Sequence, residues 1–280
     1  MIVDGGNKSA KSIQYTLLIA LAVVTLLPMM LALMGGFKNL AQLRLDLFGW
    51  PKPFLWENYV DVLHPTRSKF FFSLLNSMII MTLTVFLGVV LSSLAGFALS
   101  RIKFPGRELI FNFFLVGLLF PPAVAILPLY IELKSIHLLD NYFGVILPQV
   151  AFALPMQIML VRSFFSQIPM ELEESATIDG CTQLQFLSRI VIPLSKPVLT
   201  TIAILAMVGS WNSYFLPLLI LNSEKFFTLP MGVMSFASQY VYNWPLVLAY
   251  ITLAMVPAII FYMMAQKYII EGLTSGAVKQ

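Results

Sequence analysis

Apolar runs long enough to cross a bilayer as helices, which takes ~20 residues, recur at residues 13–34, 72–100, 108–128, 143–165, 198–221 and 247–270. The segments between them are shorter and carry most of the charge. This pattern predicts an all-α integral membrane protein, one domain of six transmembrane helices. Two polar segments stand apart from it: residues 166–194, between the fourth and fifth runs, and the tail at 271–280. The first run follows Lys8 and Lys11 as a signal peptide would. It is longer than such an apolar region and no small-residue cleavage pattern follows it, so it reads as an uncleaved helix.

Inside the second run, Gly88, Ser92 and Gly96 recur every four residues and put small side chains on one face, where a neighbouring helix can approach closely. Prolines at 28, 121, 122, 128, 148, 155, 217 and 257 fall within or beside the runs, and each removes a backbone donor and favours a bend. Between the third and fourth runs, Leu129, Leu133, Ile136 and Leu139 share a face while Glu132, Lys134 and Asp140 lie elsewhere, which predicts an amphipathic piece along the outer surface.

The polar insert has its own local logic. Pro169 is suited to the first turn of a helix, where its missing N–H costs nothing. Glu171, Glu173 and Glu174 follow where the helix dipole favours negative charge. Gly180, after Asp179, supplies the left-handed residue that ends such a helix. Thr182 with Gln185 has the form of a capping box, so a second short helix starts there, carrying Leu184, Phe186, Leu187 and Ile190 before Pro193. The expectation is a helix, a glycine elbow and a second helix. Such a pair could rest on lipid headgroups, but acidic residues suit an anionic leaflet badly. A protein partner explains it better, with the carboxylates meeting basic residues and Leu184, Phe186 and Leu187 filling an apolar cleft.

Composition agrees with the pattern: 59% of residues are hydrophobic and only 11% charged, against ~25% in soluble proteins. The net charge of +4 does not form a patch, which argues against nucleic acid. The basic residues sort instead by loop. Lys8, Lys11, Arg101, Lys103, Arg107, Arg162, Arg189, Lys196, Lys267 and Lys279 share one side, which the positive-inside rule makes cytoplasmic together with both termini. Lys38, Arg44, Lys52, Arg67, Lys69, Lys134 and Lys225 fall on the other side, the first five diluted by Asp46, Glu57 and Asp61. Cys181 is the one cysteine, and with two separated histidines no metal-ligand pattern exists.

Glu174, Ser175 and Ala176, followed by Gly180, Ile190 and Pro193, resemble the EAA motif of membrane subunits of bacterial ABC importers. Ser175 stands where that motif usually has Ala, and Cys181 where a small residue is common. WENYVDVL at Trp56–Leu63, Asn76 and Ser77, GSWNSYFLPLLIL at Gly209–Leu221 and the C-terminal EGLTSGAVKQ resemble the carbohydrate-uptake branch, close to the maltose-type second permease subunit. The resemblance implies a multi-pass permease of the bacterial cytoplasmic membrane. It implies as partners a homologous second permease, an ABC ATPase dimer, an extracytoplasmic solute-binding protein and a sugar-like solute. Coupling to the ATPase would run through Glu173, Glu174, Ser175, Ala176, Asp179, Gly180, Leu184, Phe186 and Leu187, and the tail would reach toward the ATPase dimer. The external segment 222–244, with Phe226, Phe227, Met231, Met234, Phe236 and Tyr240, would meet the binding protein.

The chain contains no GxxxxGK[ST] phosphate loop, so ATP and magnesium are expected on separate subunits and no cofactor on this one. It also lacks HExxH, GxSxG and paired carboxylates in the apolar runs, which argues against an integral-membrane enzyme and against a proton-coupled carrier or channel. In the fifth run Trp211, Asn212 and Tyr214 sit where unsatisfied polar groups are expensive. They line a solute pathway or hydrogen-bond between helices, and Asn76, Gln149 and Gln157 are candidates on the same grounds.

Overall fold

A computed structural model describes residues 8–65, 68–236 and 243–277, with side chains left aside at 8–10, 264–265 and 267–277. All regular structure among the described residues is helical. Among the described residues four helices are long and apolar enough to cross a membrane, or up to six when two bent pairs are each taken as one span. The chain divides into two compact units, one of residues up to 71 with 232–257, the other of 72–231 with the residues from 258.

In the first unit, α1 (Lys8–Gly36) is a 29-residue helix with almost no side chain buried against the rest of the chain. At ~1.5 Å per residue it is longer than a ~30 Å hydrocarbon core. Its end is tied down by the short helices α2 (Leu40–Leu45) and α3 (Glu57–Leu63). Asn58 of α3 donates from Nδ2 to the carbonyls of Gly36 and Lys38, satisfying acceptors that a helix end leaves open. The fully buried Lys38 donates from Nζ to the Asp46 and Leu47 carbonyls at 2.8 and 2.9 Å. Phe37 gathers Phe54, Trp56 and Tyr59 around it at centroid distances of 4.5–5.3 Å.

The second unit is built on α4 (Phe70–Arg101) and α7 (Tyr142–Phe165). Their seam uses the small-residue stripe: a Cβ at Gly96 would stand 2.6 Å from Val161 Cγ1, and one at Gly88 would stand 2.9 Å from Gln157 Oε1. Ser92 between them is fully buried. The apolar run at 108–128 is broken, because α5 (Arg107–Leu118) and α6 (Pro122–Ser135) meet at 103°. The Pro121–Pro122 pair accounts for the break, since neither residue can donate to the preceding turn. In the amphipathic piece Leu133 is buried and Leu129 and Leu139 pack on the same core, whereas Ile136 is exposed. The chain continues through α8 (Met170–Ile178), α9 (Gln183–Leu194), α10 (Lys196–Trp211), α11 (Phe215–Ile220) and α12 (Trp244–Ala277). The fifth run thus stops at Trp211 and resumes in α11. α12 carries helix through most of the segment read as a polar tail, and the rest of that tail lies outside the described residues.

Two apolar clusters hold this unit. One joins Ile80, Val145, Ile146, Ile220 and Met231; the other joins Phe97, Val161, Phe165, Ala176, Phe186, Leu187 and Ile202 at the end bearing the elbow.

Candidate functional site: the elbow and an intramembrane cavity

The elbow is specified by local hydrogen bonds. Pro169, extended at φ −55° and ψ 142°, precedes α8 as its cap, one position earlier than a first-turn proline, and Glu171 and Glu173 occupy the first turn. At the other end the Cys181 N–H donates to the Ala176 carbonyl (2.9 Å) and the Gly180 N–H to that of Thr177 (3.0 Å). This pair of bonds defines a Schellman cap, which needs a left-handed residue at Gly180, and its φ is +79°. One residue on, the Thr182 N–H donates to Gln185 Oε1 (2.9 Å) and the Gln185 N–H donates to Thr182 Oγ1 (3.3 Å), completing the capping box that opens α9. α9 contains a π turn at Leu187–Val191, and α9 and α10 meet at 80°.

The structure divides the residues expected to couple to an ATPase into two groups. Glu174, Ser175, Asp179, Gly180 and Leu184 are exposed, Leu184 at 67%. Phe186 and Leu187, expected to fill a partner's cleft, are instead buried in this chain's own core at 2% and 3% exposure, with Ala176 beside them. The packing of Phe97 and Phe165 against them decides this, and Leu184, on the opposite face of α9 from Phe186, is left at the surface. The most exposed apolar side chain of the elbow is instead Ile178, at 86%, with Met170 and Leu172 of α8 also exposed. The outward face of the elbow therefore combines Ile178 and Leu184 with the carboxylates of Glu171, Glu174 and Asp179.

The second feature is a cavity of about 680 Å³ between α4, α6, α7, α10 and α11, within the size range of small-molecule sites. Its polar centre is Gln149, whose Oε1 accepts from Thr84 Oγ1 (3.1 Å) and Ser210 Oγ (2.7 Å). Gln149 Nε2 and Gln157 Oε1 are buried with no hydrogen-bond partner among the described residues. Tyr214 also lines this cavity. Trp211 and Asn212 do not: they border a smaller cavity of about 200 Å³, where Trp211 packs edge-on against Phe261 at 4.9 Å. Asn76 joins neither. It is buried and donates from Nδ2 to the Lys225 and Phe227 carbonyls, while its Oδ1 accepts from the Tyr142 hydroxyl at 2.7 Å.

Asn76 therefore pins the start of the segment that follows α11, together with Ser77, whose Oγ accepts from the Leu229 N–H, and Asp140, which accepts from the Asn222 and Ser223 amides and the Ser223 hydroxyl. Of the apolar residues expected to face a binding protein, Phe227 and Met231 are buried; Tyr240 lies outside the described residues.

A many-span helical protein with an exposed two-helix elbow and a weakly polar cavity among its spans belongs to the class of membrane transport components. Residues 88–274 match the family described as binding-protein-dependent transport system inner membrane component, and the chain belongs to that family. It is 35% identical over 278 residues to the probable ABC transporter permease protein YurM of Bacillus subtilis (strain 168), covering 98% of this chain and 89% of that one. It is also 35% identical over 262 residues, 92% of each chain, to the arabinooligosaccharides transport system permease protein AraQ of the same organism. Among solved structures it resembles a bacterial ABC transporter involved in the import of the acidic polysaccharide alginate, with a TM-score of 0.82 and 25% identity over 96% of this chain and 99% of that one. It is a multi-pass inner-membrane permease, a transport component and not an enzyme.

Proposed function

We propose that this permease forms half of an import path for a neutral sugar or polyol and is driven through its elbow by a separate ATPase dimer. The observation that carries the reading is the exposed surface of α8 and α9, where apolar side chains, Ile178 and Leu184 foremost, accompany three carboxylates on a turn capped at both sides. Such a surface suits a basic-rimmed apolar cleft, in which the apolar anchors supply affinity and the acids fix orientation. A homologous permease completes the path, an extracytoplasmic binding protein delivers the solute, and ATP with magnesium resides on the ATPase. Both termini and the elbow face the cytoplasm, consistent with the basic residues at that end of the helices.

The solute class rests on two supports. An arabinooligosaccharide permease is among the relatives. The lining of the large cavity has no Lys, Arg, Asp or Glu, only amide and hydroxyl groups set among apolar walls, which suits a neutral polyhydroxyl solute over an ionic one. Reconstituted with its ATPase, second permease and binding protein, the complex imports neutral oligosaccharides in an ATP-dependent manner and leaves amino acids and uronates outside. Uptake without ATP, or driven by an ion gradient, would contradict the reading.

A further inference from the structure

Two arginines cross over at the end of the helices that carries the elbow. Arg101, the last residue of α4, has a side chain only 3% exposed. Its Nη2 donates to the carbonyls of Phe165, at the end of α7, and Ile168, in the turn that follows. Its Nη1 lies 3.2 Å from Met170 Sδ and 3.6 Å from Glu173 Oε2, both on α8. Arg162 of α7 returns the contact: its Nε donates to the Leu99 carbonyl of α4 at 3.1 Å, its Nη2 meets Glu108 Oε1 at 2.5 Å, and its guanidinium lies 3.7 Å over the Phe111 ring. Each helix thus has its open carbonyls capped by a cation from the other, where the helix dipole favours positive charge.

The two arginines differ in what else they hold. Arg162 ends on α5, whereas Arg101 ends on the elbow. Along the chain the elbow joins α7 before it and α10 after it, and α4 has no covalent connection to it. Among the described residues, an apolar and a polar contact bring α4 to the elbow. The apolar one, Phe97 against Phe186 at 6.2 Å, can slide. The polar one is Arg101, whose planar fork has fixed donor directions and engages α7, the turn and α8 at once. Among the described residues Arg101 Nε and Glu173 Oε2 are buried without a hydrogen-bond partner, so the ion pair is formed but not closed.

We propose that Arg101 is the positioning residue through which movement of α8 is delivered to α4, with Glu173 as its counterpart on the elbow. A displacement that brings α8 toward α4 shortens the pair to full hydrogen bonding, and one that withdraws it pulls on a guanidinium anchored to the end of α7. The two long helices of the cavity wall then move with the elbow as one body. The proposal rests on the elbow being the ATPase-docking element.

The test uses the complete complex in proteoliposomes with loaded binding protein, recording solute imported and ATP hydrolysed in the same vesicles. Arg101→Gln removes the charge and the fork; Arg101→Lys keeps the charge alone. With the ATPase still co-purifying, solute imported per ATP falls about threefold to tenfold in Arg101→Gln and by less in Arg101→Lys, as expected for a residue along a coupling route. A purely structural role lowers both quantities in proportion, so an unchanged ratio in Arg101→Gln overturns the proposal. Should Arg101→Gln fail to assemble, Arg101→Lys is combined with Glu173→Gln. A double variant no worse than the poorer single one supports the pairing, and additive losses overturn it. A wild-type complex that does not retain the ATPase instead overturns the docking reading, before any variant is compared.

Discussion

Gly180 carries the backbone demand of the elbow. Its φ of +79° is left-handed, and no heavy atom stands within 4 Å of the place a Cβ would occupy. A side chain there meets no neighbour, so the cost of substitution is conformational, about 1–2 kcal/mol for a residue that resists the left-handed region. Gly180→Val therefore inserts into the membrane in normal amounts but imports poorly. Gly180→Asn, which tolerates that region, keeps most of the uptake. Uptake and membrane yield measured on both variants check this, and equal uptake in the two would show that the Schellman geometry is not what matters. The glycine and both caps were legible in the sequence because their hydrogen bonds span five residues or fewer. The fates of Phe186 and Leu187 were not, because an apolar residue on a short helix fits a partner's cleft or its own core equally well, and only the packing of Phe97 and Phe165 against them decides.

At the scale of elements, the α4–α7 seam makes a contrast between two glycines of one stripe. At Gly96 an added Cβ meets Val161 Cγ1 at 2.6 Å and the Arg162 backbone nitrogen at 3.3 Å, so the helices must separate. At Gly88 the obstacle is the end of the Gln157 side chain, which can turn away. Gly96→Ala accordingly loses about 1–3 kcal/mol of stability, and Gly88→Ala loses much less, as thermal unfolding of the purified protein would record. Asp140, in the connection between α6 and α7, anchors the next element. Desolvation pushes its carboxyl up, but hydrogen bonds from Ser223 and Asn222, with the charge of Lys225, outweigh that and leave it below the ordinary carboxylate range. A lowered folded value means that its contribution is complete above the usual carboxylate pKa and is lost as pH falls through the lowered one. Amides at 222–223 are therefore protected from hydrogen exchange at neutral pH and lose protection only in acid, whereas Asp140→Asn loses it at neutral pH. The spans themselves were legible from hydropathy. The 103° break was signalled by Pro121–Pro122 without its size, and the crossed arginines were not legible, because they depend on residues 51 to 72 positions apart meeting at one end.

At the scale of the whole molecule, the elbow proposed to dock an ATPase stands at one end of a helical pair whose wall borders a weakly polar cavity without charged side chains. The pathway candidates separate accordingly: Tyr214, Gln149 and Gln157 line that cavity, Trp211 and Asn212 border the smaller one beside Phe261, and Asn76 anchors the segment after α11. Residue type alone could not sort them, since each is a polar or amphipathic group in an apolar run with the same need for a partner. The central claim, that the elbow meets a separate ATPase on the cytoplasmic side, is tested most directly by Cys181, a free and partly exposed thiol one residue beyond Gly180. A membrane-impermeant thiol reagent is applied to intact cells, to inside-out vesicles stripped of the ATPase, and to the same vesicles after the ATPase is restored, with Cys181→Ser and denatured protein as controls. The account predicts no labelling from outside, labelling in stripped vesicles, and markedly slower labelling once the ATPase is bound. Labelling in intact cells, or a rate in vesicles indifferent to the ATPase, would contradict it.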